Sequence, residues 1–325
     1  MPQFAFPFKL KGKRVWVAGH RGMVGSAIVR RLAGEGCEVL TATRQDLDLC
    51  RQADVEAWLS GSRPDAIFLA AAKVGGIMAN STKPAEFIYS NLAIQTNIIH
   101  AAWKARVQKL LFLGSACIYP KELPQPIVEE ALLTGPLEPT NQWYSAAKIA
   151  GIKMCDAYRK QYGCDFISAQ PTNVYGPGDN FDAASGHVMG ALMARAHRAK
   201  TEGTPRLVIW GTGRPLREFL FVEDLADALV FVMQHYSDDI HINVGSGQEL
   251  SIAELARLIA KTVGYKGELV FDPSKPDGVA RRVLDTTRIK ELGWAPKTPF
   301  AEGLRRMYEA YLRTAAERAP ALSTA

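Results

Sequence analysis

A tyrosine and a lysine stand four residues apart in Trp143-Tyr144-Ser145-Ala146-Ala147-Lys148. On a helix this spacing puts both on one face, one turn from each other. A phenol titrates near 10 and is a proton donor at neutral pH. A nearby ammonium favours the phenolate and is expected to lower that pKa toward the working range. Such a pair suits protonation of an oxyanion as a carbonyl is reduced. Tyr-x-x-x-Lys also occurs on plain amphipathic surface helices, so the spacing needs company before it means chemistry.

The company begins at Gly19-His20-Arg21-Gly22-Met23-Val24-Gly25. An apolar strand, Arg14 to Gly19, runs into this turn, and a helix follows through Ala33. Strand, glycine-rich turn and helix form the pattern that cradles a dinucleotide pyrophosphate on a helix N-terminus. The spacing here is G-x-x-G-x-x-G rather than G-x-G-x-x-G. A second strand, Cys37 to Ala42, leads to Thr43-Arg44. An acid at that strand end holds the ribose 2′-hydroxyl of NAD. A cation there suits the extra 2′-phosphate of NADP, although a solvated loop arginine is the plainer reading. Asp46-Leu47-Asp48 follows, within reach of an adenine edge.

These residues need elements to position them. Asp65 to Ala72 reads as a third strand, and about 84 to 106 as a long returning helix. Lys109 to Ser115 is a fourth strand, with Ser115 and Cys117 at its carboxyl end, where open α/β sheets bind ligands. A proline-rich loop spans about 119 to 140. Thr140 or Asn141 is expected to cap the helix that carries Tyr144 and Lys148. Asp165 to Gln170 is a fifth strand. Alternating apolar strands and helices imply an α/β fold with a doubly wound parallel sheet. After Gly176 the pattern changes. It reads as a helix 187–201, strands 207–213 and 217–222, a helix 223–236, a strand 241–245, a helix 252–263 and a strand 269–272. Two closing helices follow, at about 286–292 and 300–318. The expected division is a dinucleotide-binding Rossmann domain over 12–175, with about 216–245 returning to it. A smaller, interleaved α/β substrate lobe takes 176–215 and 246–325.

Composition narrows the class. The chain has 325 residues, 47% of them apolar, and a mean hydropathy of −0.06. That allows a large core in a soluble globular protein. No apolar run reaches bilayer-spanning length, so no membrane partner is expected. The N-terminus lacks a basic head followed by an apolar stretch, as a secretory signal would have. Five cysteines, Cys37, Cys50, Cys117, Cys155 and Cys164, form no CxxC pair. A disulfide framework or a metal site is therefore not expected, and the cytoplasm is the expected compartment. The net charge of +6 is dispersed along the chain. That fits an anionic small molecule better than nucleic acid.

Together the glycine turn, Ser115, Tyr144 and Lys148 resemble the extended short-chain dehydrogenase/reductases, which act on nucleotide sugars. The resemblance extends through Ala70-Ala71-Ala72-Lys73-Val74-Gly75-Gly76-Ile77 and Gly114-Ser115-Ala116-Cys117-Ile118-Tyr119-Pro120. It continues in Pro171-Thr172-Asn173-Val174-Tyr175-Gly176-Pro177 and Lys275-Pro276-Asp277-Gly278, covering about 12 to 315. Within the family the chain is similar to the branch that makes GDP-L-fucose. This implies NADPH-dependent 3,5-epimerisation and 4-reduction of GDP-4-keto-6-deoxy-D-mannose. Cys117 and His187 match the family's epimerising base and acid. Tyr144 matches the proton donor in reduction, Lys148 its partner on the nicotinamide ribose, and Ser115 the group that hydrogen-bonds the carbonyl oxygen. The resemblance also places Leu113, Gly114, Pro171, Asn173, Val174 and His187 against the cofactor, beside the glycine turn, Arg44, Asp46 and Leu47. Arg195, Trp210, Arg217 and Asp277 match positions that hold the GDP-sugar. Relatives dimerise through the helices at about 84–106 and 141–161, so a homodimer is expected.

Three positions depart from the family pattern. Ala116 stands where a second serine is common, and Trp143 where proline or a smaller residue is frequent. Gly190 stands where proline is common, which is expected to loosen the helix bearing His187. Two other readings stay open. One is the same chemistry on a related GDP-4-keto-deoxy-hexose, such as a colitose precursor. The other is a non-catalytic, NADPH-sensing Rossmann protein, which would tend to lose the tyrosine, lysine or serine kept here.

Overall fold

The computed structural model describes residues 7–182, 186, 188–275 and 277–318. Its main layer is a parallel sheet of six strands. These are β1 (Arg14–Ala18), β2 (Glu38–Leu40), β3 (Ala66–Leu69), β4 (Lys109–Leu113), β5 (Asp165–Pro171) and β9 (Ile242–Val244). Their order is β2-β1-β3-β4-β5-β9, and every pair is parallel. The chain leaves β1 to one side for β2 and to the other for β3. That reversal opens a crevice at the carboxyl end of β1, where doubly wound folds bind dinucleotides.

Side chains alternate across this sheet. Val15 and Val17 face α1 (Met23–Leu32) and α7 (Val222–His235), whereas Trp16 and Ala18 face the opposite core. That second core is covered by α2 (Gln52–Ser62), α4 (Pro84–Lys104) and α5 (Gln142–Tyr162). Strands buried on both faces explain the unbroken apolar runs in the sequence. Each fully buried Phe or Ile contributes about 1.5–3 kcal/mol of transfer free energy. Several strands are shorter than expected; β4, for one, stops at Leu113 instead of Ser115, and the strand expected over 207–213 stops at Trp210. β2 stops at Leu40 instead of Ala42, and β3 at Leu69 instead of Ala72. β2 is an edge strand with one neighbour, and no partner extends its ladder.

The remaining strands pair elsewhere. β8 (Leu216–Phe221) pairs with β6 (Asn173–Tyr175), β10 (Glu249–Ser251) and β12 (Arg281–Arg282). β7 (Arg206–Trp210) and β11 (Glu268–Asp272) form a separate parallel pair. Within the stretch 216–245, α7 and β9 therefore join the six-stranded layer, while β8 builds its own small sheet. A third apolar cluster lies among α6 (Val188–Thr201), α8 (Ile252–Val263) and α10 (Phe300–Arg318). Ser251 and Glu254 close a reciprocal capping box on α8, and Gly264 ends it at φ +80°, satisfying the end groups a helix leaves open. Two short helices complete the order, α3 (Ile77–Thr82) and α9 (Thr287–Glu291).

Candidate active site

The glycine turn is shaped by close approach. A Cβ on Gly19 would sit 2.7 Å from the backbone of Ala71, and one on Gly25 2.1 Å from the carbonyl of Gly19. Those two glycines are required by the fold itself. Gly22 differs: a Cβ there would meet only the Gly19 carbonyl, at 3.4 Å. The protein alone tolerates a side chain at Gly22, which is exposed. Gly22 is the N-cap of α1, no side chain caps the helix, and its first turn holds no acid. An uncapped, acid-free helix N-terminus leaves amide donors and a positive helix end, which suits a diphosphate.

Charge at the rim suits an additional phosphate. Arg21 and Arg44 are exposed. Asp46 accepts from the Thr43 amide (3.0 Å) and hydroxyl (2.6 Å). Those bonds, with Arg21 and His20 nearby, hold its carboxyl below the usual range. The His20 imidazole is pushed down by burial and by Arg21. Met23 and Val24 open α1, and Leu47 is buried beneath the loop. The chain thus fits a dinucleotide carrying a 2′-phosphate. The turn 19–25 would hold its diphosphate, and Arg21 and Arg44 its extra charge.

At the carboxyl end of β4, Gly114 and Ser115 lead into a single 3-10 turn, Ala116–Ile118. Ser115 Oγ accepts from the Cys117 amide at 3.3 Å. The phenol of Tyr144 is within the influence of both side chains. Burial pushes its pKa up, Cys117 adds to that, and a hydrogen bond with Ser115 opposes it. Lys148 is only 2% exposed, and burial pushes its pKa down to about 7. Its Nζ donates to the Leu113 carbonyl at 2.7 Å, 4.7 Å from the Phe112 ring centroid and 5.9 Å from that of Tyr144. The sequence expectation that Lys148 lowers the Tyr144 pKa has no counterpart here: the causes acting on the phenol are burial, Cys117 and Ser115, while one of the three Lys148 N–H donors is taken by the Leu113 carbonyl.

The α5 N-terminus corrects another. Asn141 is the N-cap, but neither it nor Thr140 caps the helix with its side chain. Instead Ser145 Oγ, one turn into the helix, donates to the Cys117 carbonyl at 2.9 Å. The bond ties the tyrosine helix to the cysteine turn.

Three supporting side chains escaped the sequence reading. Gln170 Oε1 accepts the Ser115 amide at 2.9 Å, and a Cβ on Gly114 would fall 1.8 Å from that oxygen. Tyr119 Oη donates to Asn243 Oδ1 at 2.6 Å and lies 2.8 Å from His241 Nε2. Arg282 donates to the carbonyls of Ala116 (2.8 Å) and Pro120 (3.2 Å). A glutamine ending an apolar strand was the one local signal; the other contacts are non-local.

Of the expected substrate positions, Trp210 and Arg217 lie on β7 and β8, Arg195 on α6 and Asp277 in the loop after β11. Trp210, at the end of β7, is 58% exposed, with Lys275 Nζ 5.9 Å from its ring centroid. Asp277 accepts from the Thr212 amide and hydroxyl, both at 2.7 Å. Its first role is thus to join two loops, and its remaining lone pairs stay available. Arg195 donates to the Val208 carbonyl, and burial lowers its pKa. Arg217 is shifted down by burial and then by Arg282. Pro171 ends β5, Asn173 donates to the Glu218 carbonyl at 2.9 Å, and Val174 packs on the main core.

His187 lies outside the described residues. In the helix that follows it, Gly190, expected to loosen the helix start, has a packing reason to be glycine. A Cβ there would be 2.4 Å from the Asn180 carbonyl, so glycine lets the preceding loop pack onto the first turn of α6. In the same loop Asp179 is buried, and its pKa is pushed up to about 7 by desolvation. Among the described residues no group of three or more His, Cys, Asp or Glu could hold a metal ion.

Comparison with known proteins agrees with this geometry. The model of the NAD dependent epimerase/dehydratase family matches residues 15–245. A GDP-L-fucose synthase of Sinorhizobium fredii is 58% identical over 310 residues, covering 95% of this chain and 99% of its own. A GDP-L-colitose synthase of Yersinia pseudotuberculosis is 36% identical over 301 residues, covering 92% and 98%. The crystal structure of a GDP-L-fucose synthetase from Naegleria fowleri bound to NADP matches with a TM-score of 0.88. It is 27% identical, covering 96% of this chain and 98% of that one.

Proposed function

Because the chain belongs to the NAD dependent epimerase/dehydratase family, we propose that it is an NADPH-dependent epimerase and reductase of a GDP-sugar. It converts GDP-4-keto-6-deoxy-D-mannose to GDP-L-fucose by epimerisation at carbons 3 and 5 and reduction at carbon 4. The observation that carries this reading is the grouping of Ser115 and Cys117 around the Tyr144 phenol, with Lys148 behind it. A carbonyl reductase alone needs no thiol there. The greater identity to a fucose synthase than to a colitose synthase favours the fucose precursor. Retention of Tyr144, Lys148 and Ser115 together speaks against a cofactor sensor without catalysis.

The roles follow from chemistry. The 4-keto group acidifies the neighbouring C–H bonds. Cys117, as thiolate, removes a proton from carbon 3 or 5, and an enolate forms on the sugar. His187 returns a proton to the opposite face. Bound NADPH supplies the hydride for carbon 4. Tyr144 gives its phenolic proton to the oxygen on that carbon, and Ser115 donates a hydrogen bond to the same oxygen. Lys148 binds the nicotinamide ribose. Arg195 and Arg217 take the sugar's diphosphate, Trp210 packs on the nucleotide and Asp277 accepts from it. On this reading residues 12–175 serve the cofactor, 176–215 and 246–325 serve the substrate, and 216–245 belong with the first.

A homodimer through α4 and α5 belongs to the same proposal, supported by Tyr89 and Trp143 standing exposed on those helices. Light scattering that reads a single 35.6 kDa chain would remove that part. Five free thiols suit a reducing cytoplasm, and no helix among the described residues is long and apolar enough to cross a membrane.

Tyr144→Phe tests the division of labour. In D2O with NADPH, reduction should fall by about 10²–10⁴-fold, while deuterium still enters carbons 3 and 5. Loss of both at once would reject separate groups for the two steps.

A further inference from the structure

The turn that carries Cys117 has its carbonyls held from outside. Arg282 Nη1 donates to the Ala116 carbonyl at 2.8 Å and reaches that of Tyr119 at 3.5 Å; Nη2 donates to the Pro120 carbonyl at 3.2 Å. Ser145 takes the Cys117 carbonyl. The end of a one-turn helix leaves carbonyls without partners, and a planar guanidinium can span several of them.

The base of Arg282 is itself fixed. β12 pairs with β8 in the register Arg281 to Leu216 and Arg282 to Arg217. Arg281 makes a two-pronged ion pair with Glu249 on β10, at 2.7 and 2.6 Å. The Val283 amide donates to Gln125 Oε1 at 2.9 Å, and the Ile127 amide to the Val283 carbonyl at 2.9 Å. The Leu284 amide donates to Glu218 Oε2 at 3.0 Å, while Glu218 Oε1 accepts from Gly247 at 2.7 Å. Glu218 is fully buried. A side chain rooted so firmly holds what it grips in one place.

We propose that Arg282 is a positioning residue for epimerisation: from β12 it holds the 116–120 carbonyls and so sets where the Cys117 thiol meets the sugar. This rests on Cys117 being the base in the reading above. Its strand neighbour is Arg217, assigned there to the substrate diphosphate, and the two cations disfavour each other.

The test uses GDP-4-keto-6-deoxy-mannose in D2O and follows deuterium entry at carbons 3 and 5. Arg282→Met keeps the length and removes the donors. At saturating substrate, exchange should slow on the order of a hundredfold, as for a reacting group misplaced by about 1 Å. KM, NADPH affinity and the thermal midpoint should stay within about twofold or a few degrees of wild type. Arg282→Lys, with one point donor, should recover part of the exchange. If Arg282→Met does not fold, Arg282→Lys decides: slowed exchange at unchanged KM supports the role, and wild-type exchange overturns it. A raised KM with unchanged saturated exchange would make Arg282 a substrate anchor and overturn the proposal. Cys117→Ala separates the two levels. If it exchanges normally, the base assignment fails and takes this inference with it. If it loses exchange while Arg282→Met keeps it, only the inference fails.

Discussion

Lys148 donates to the Leu113 carbonyl at 2.7 Å, and its ammonium stands 5.9 Å from the Tyr144 ring centroid. Burial holds its pKa near 7, well below the ordinary lysine range. The folded protein therefore binds fewer protons here than the unfolded chain, and stability is lost as pH falls from the lysine range toward 7. Lys148→Met removes that cost. Its apo form should be more stable than wild type at pH 7, by about 1–4 kcal/mol, with reduction slowed about a hundredfold or more. Urea melts with parallel rate measurements check both, and a less stable variant contradicts the account.

Gly22 and Gly25 should separate folding from cofactor binding. Gly25→Ala places a Cβ 2.1 Å from the Gly19 carbonyl and should destabilise the fold, by about 1–3 kcal/mol as for overpacking. Gly22→Ala meets nothing closer than 3.4 Å. It should melt like wild type yet bind NADPH about tenfold more weakly, close to 1.4 kcal/mol. Calorimetric titration beside thermal melts would show this, and unchanged NADPH affinity in Gly22→Ala would remove that glycine from the diphosphate site.

On the proposed reading, Arg44 takes the place of the acid that would select NAD. Arg44→Asp should lower kcat/KM for NADPH by about 10–100-fold relative to NADH, the weight of a lost charged contact plus a repulsive one. Steady-state rates with both cofactors decide it. An unchanged ratio would place the selection on Arg21 and His20.

His241 is held neutral. Burial pushes its pKa down to about 4, against about 6.5 for free imidazole. The contribution is present above about 6.5 and is lost as pH falls toward 4, on the order of 3 kcal/mol. His241→Gln should flatten the stability slope across that window when both proteins are melted at several pH values. An identical slope would show that His241 does not carry the acid sensitivity.

Much of this site could be read from the chain because local geometry demanded particular residues. Gly19 and Gly25 mark a turn too tight for any side chain, and Tyr144 and Lys148 share a helix face by spacing alone. Other features depend on distant segments. Nothing near Lys148 in sequence announces the Leu113 carbonyl, and nothing near Arg282 announces the turn at Ala116. β10 and β12, of three and two residues, are too short for any periodicity to register. Gly190 looked like a weakness because the carbonyl of Asn180 packing against it is invisible in a string of letters.

The central claim is the full conversion, and one measurement tests it most directly. Purified protein, GDP-4-keto-6-deoxy-mannose and NADPH are combined, and the product sugar is identified by NMR. The account predicts GDP-L-fucose, with one NADPH oxidised per sugar. A product reduced at carbon 4 but unchanged at carbons 3 and 5 would contradict it.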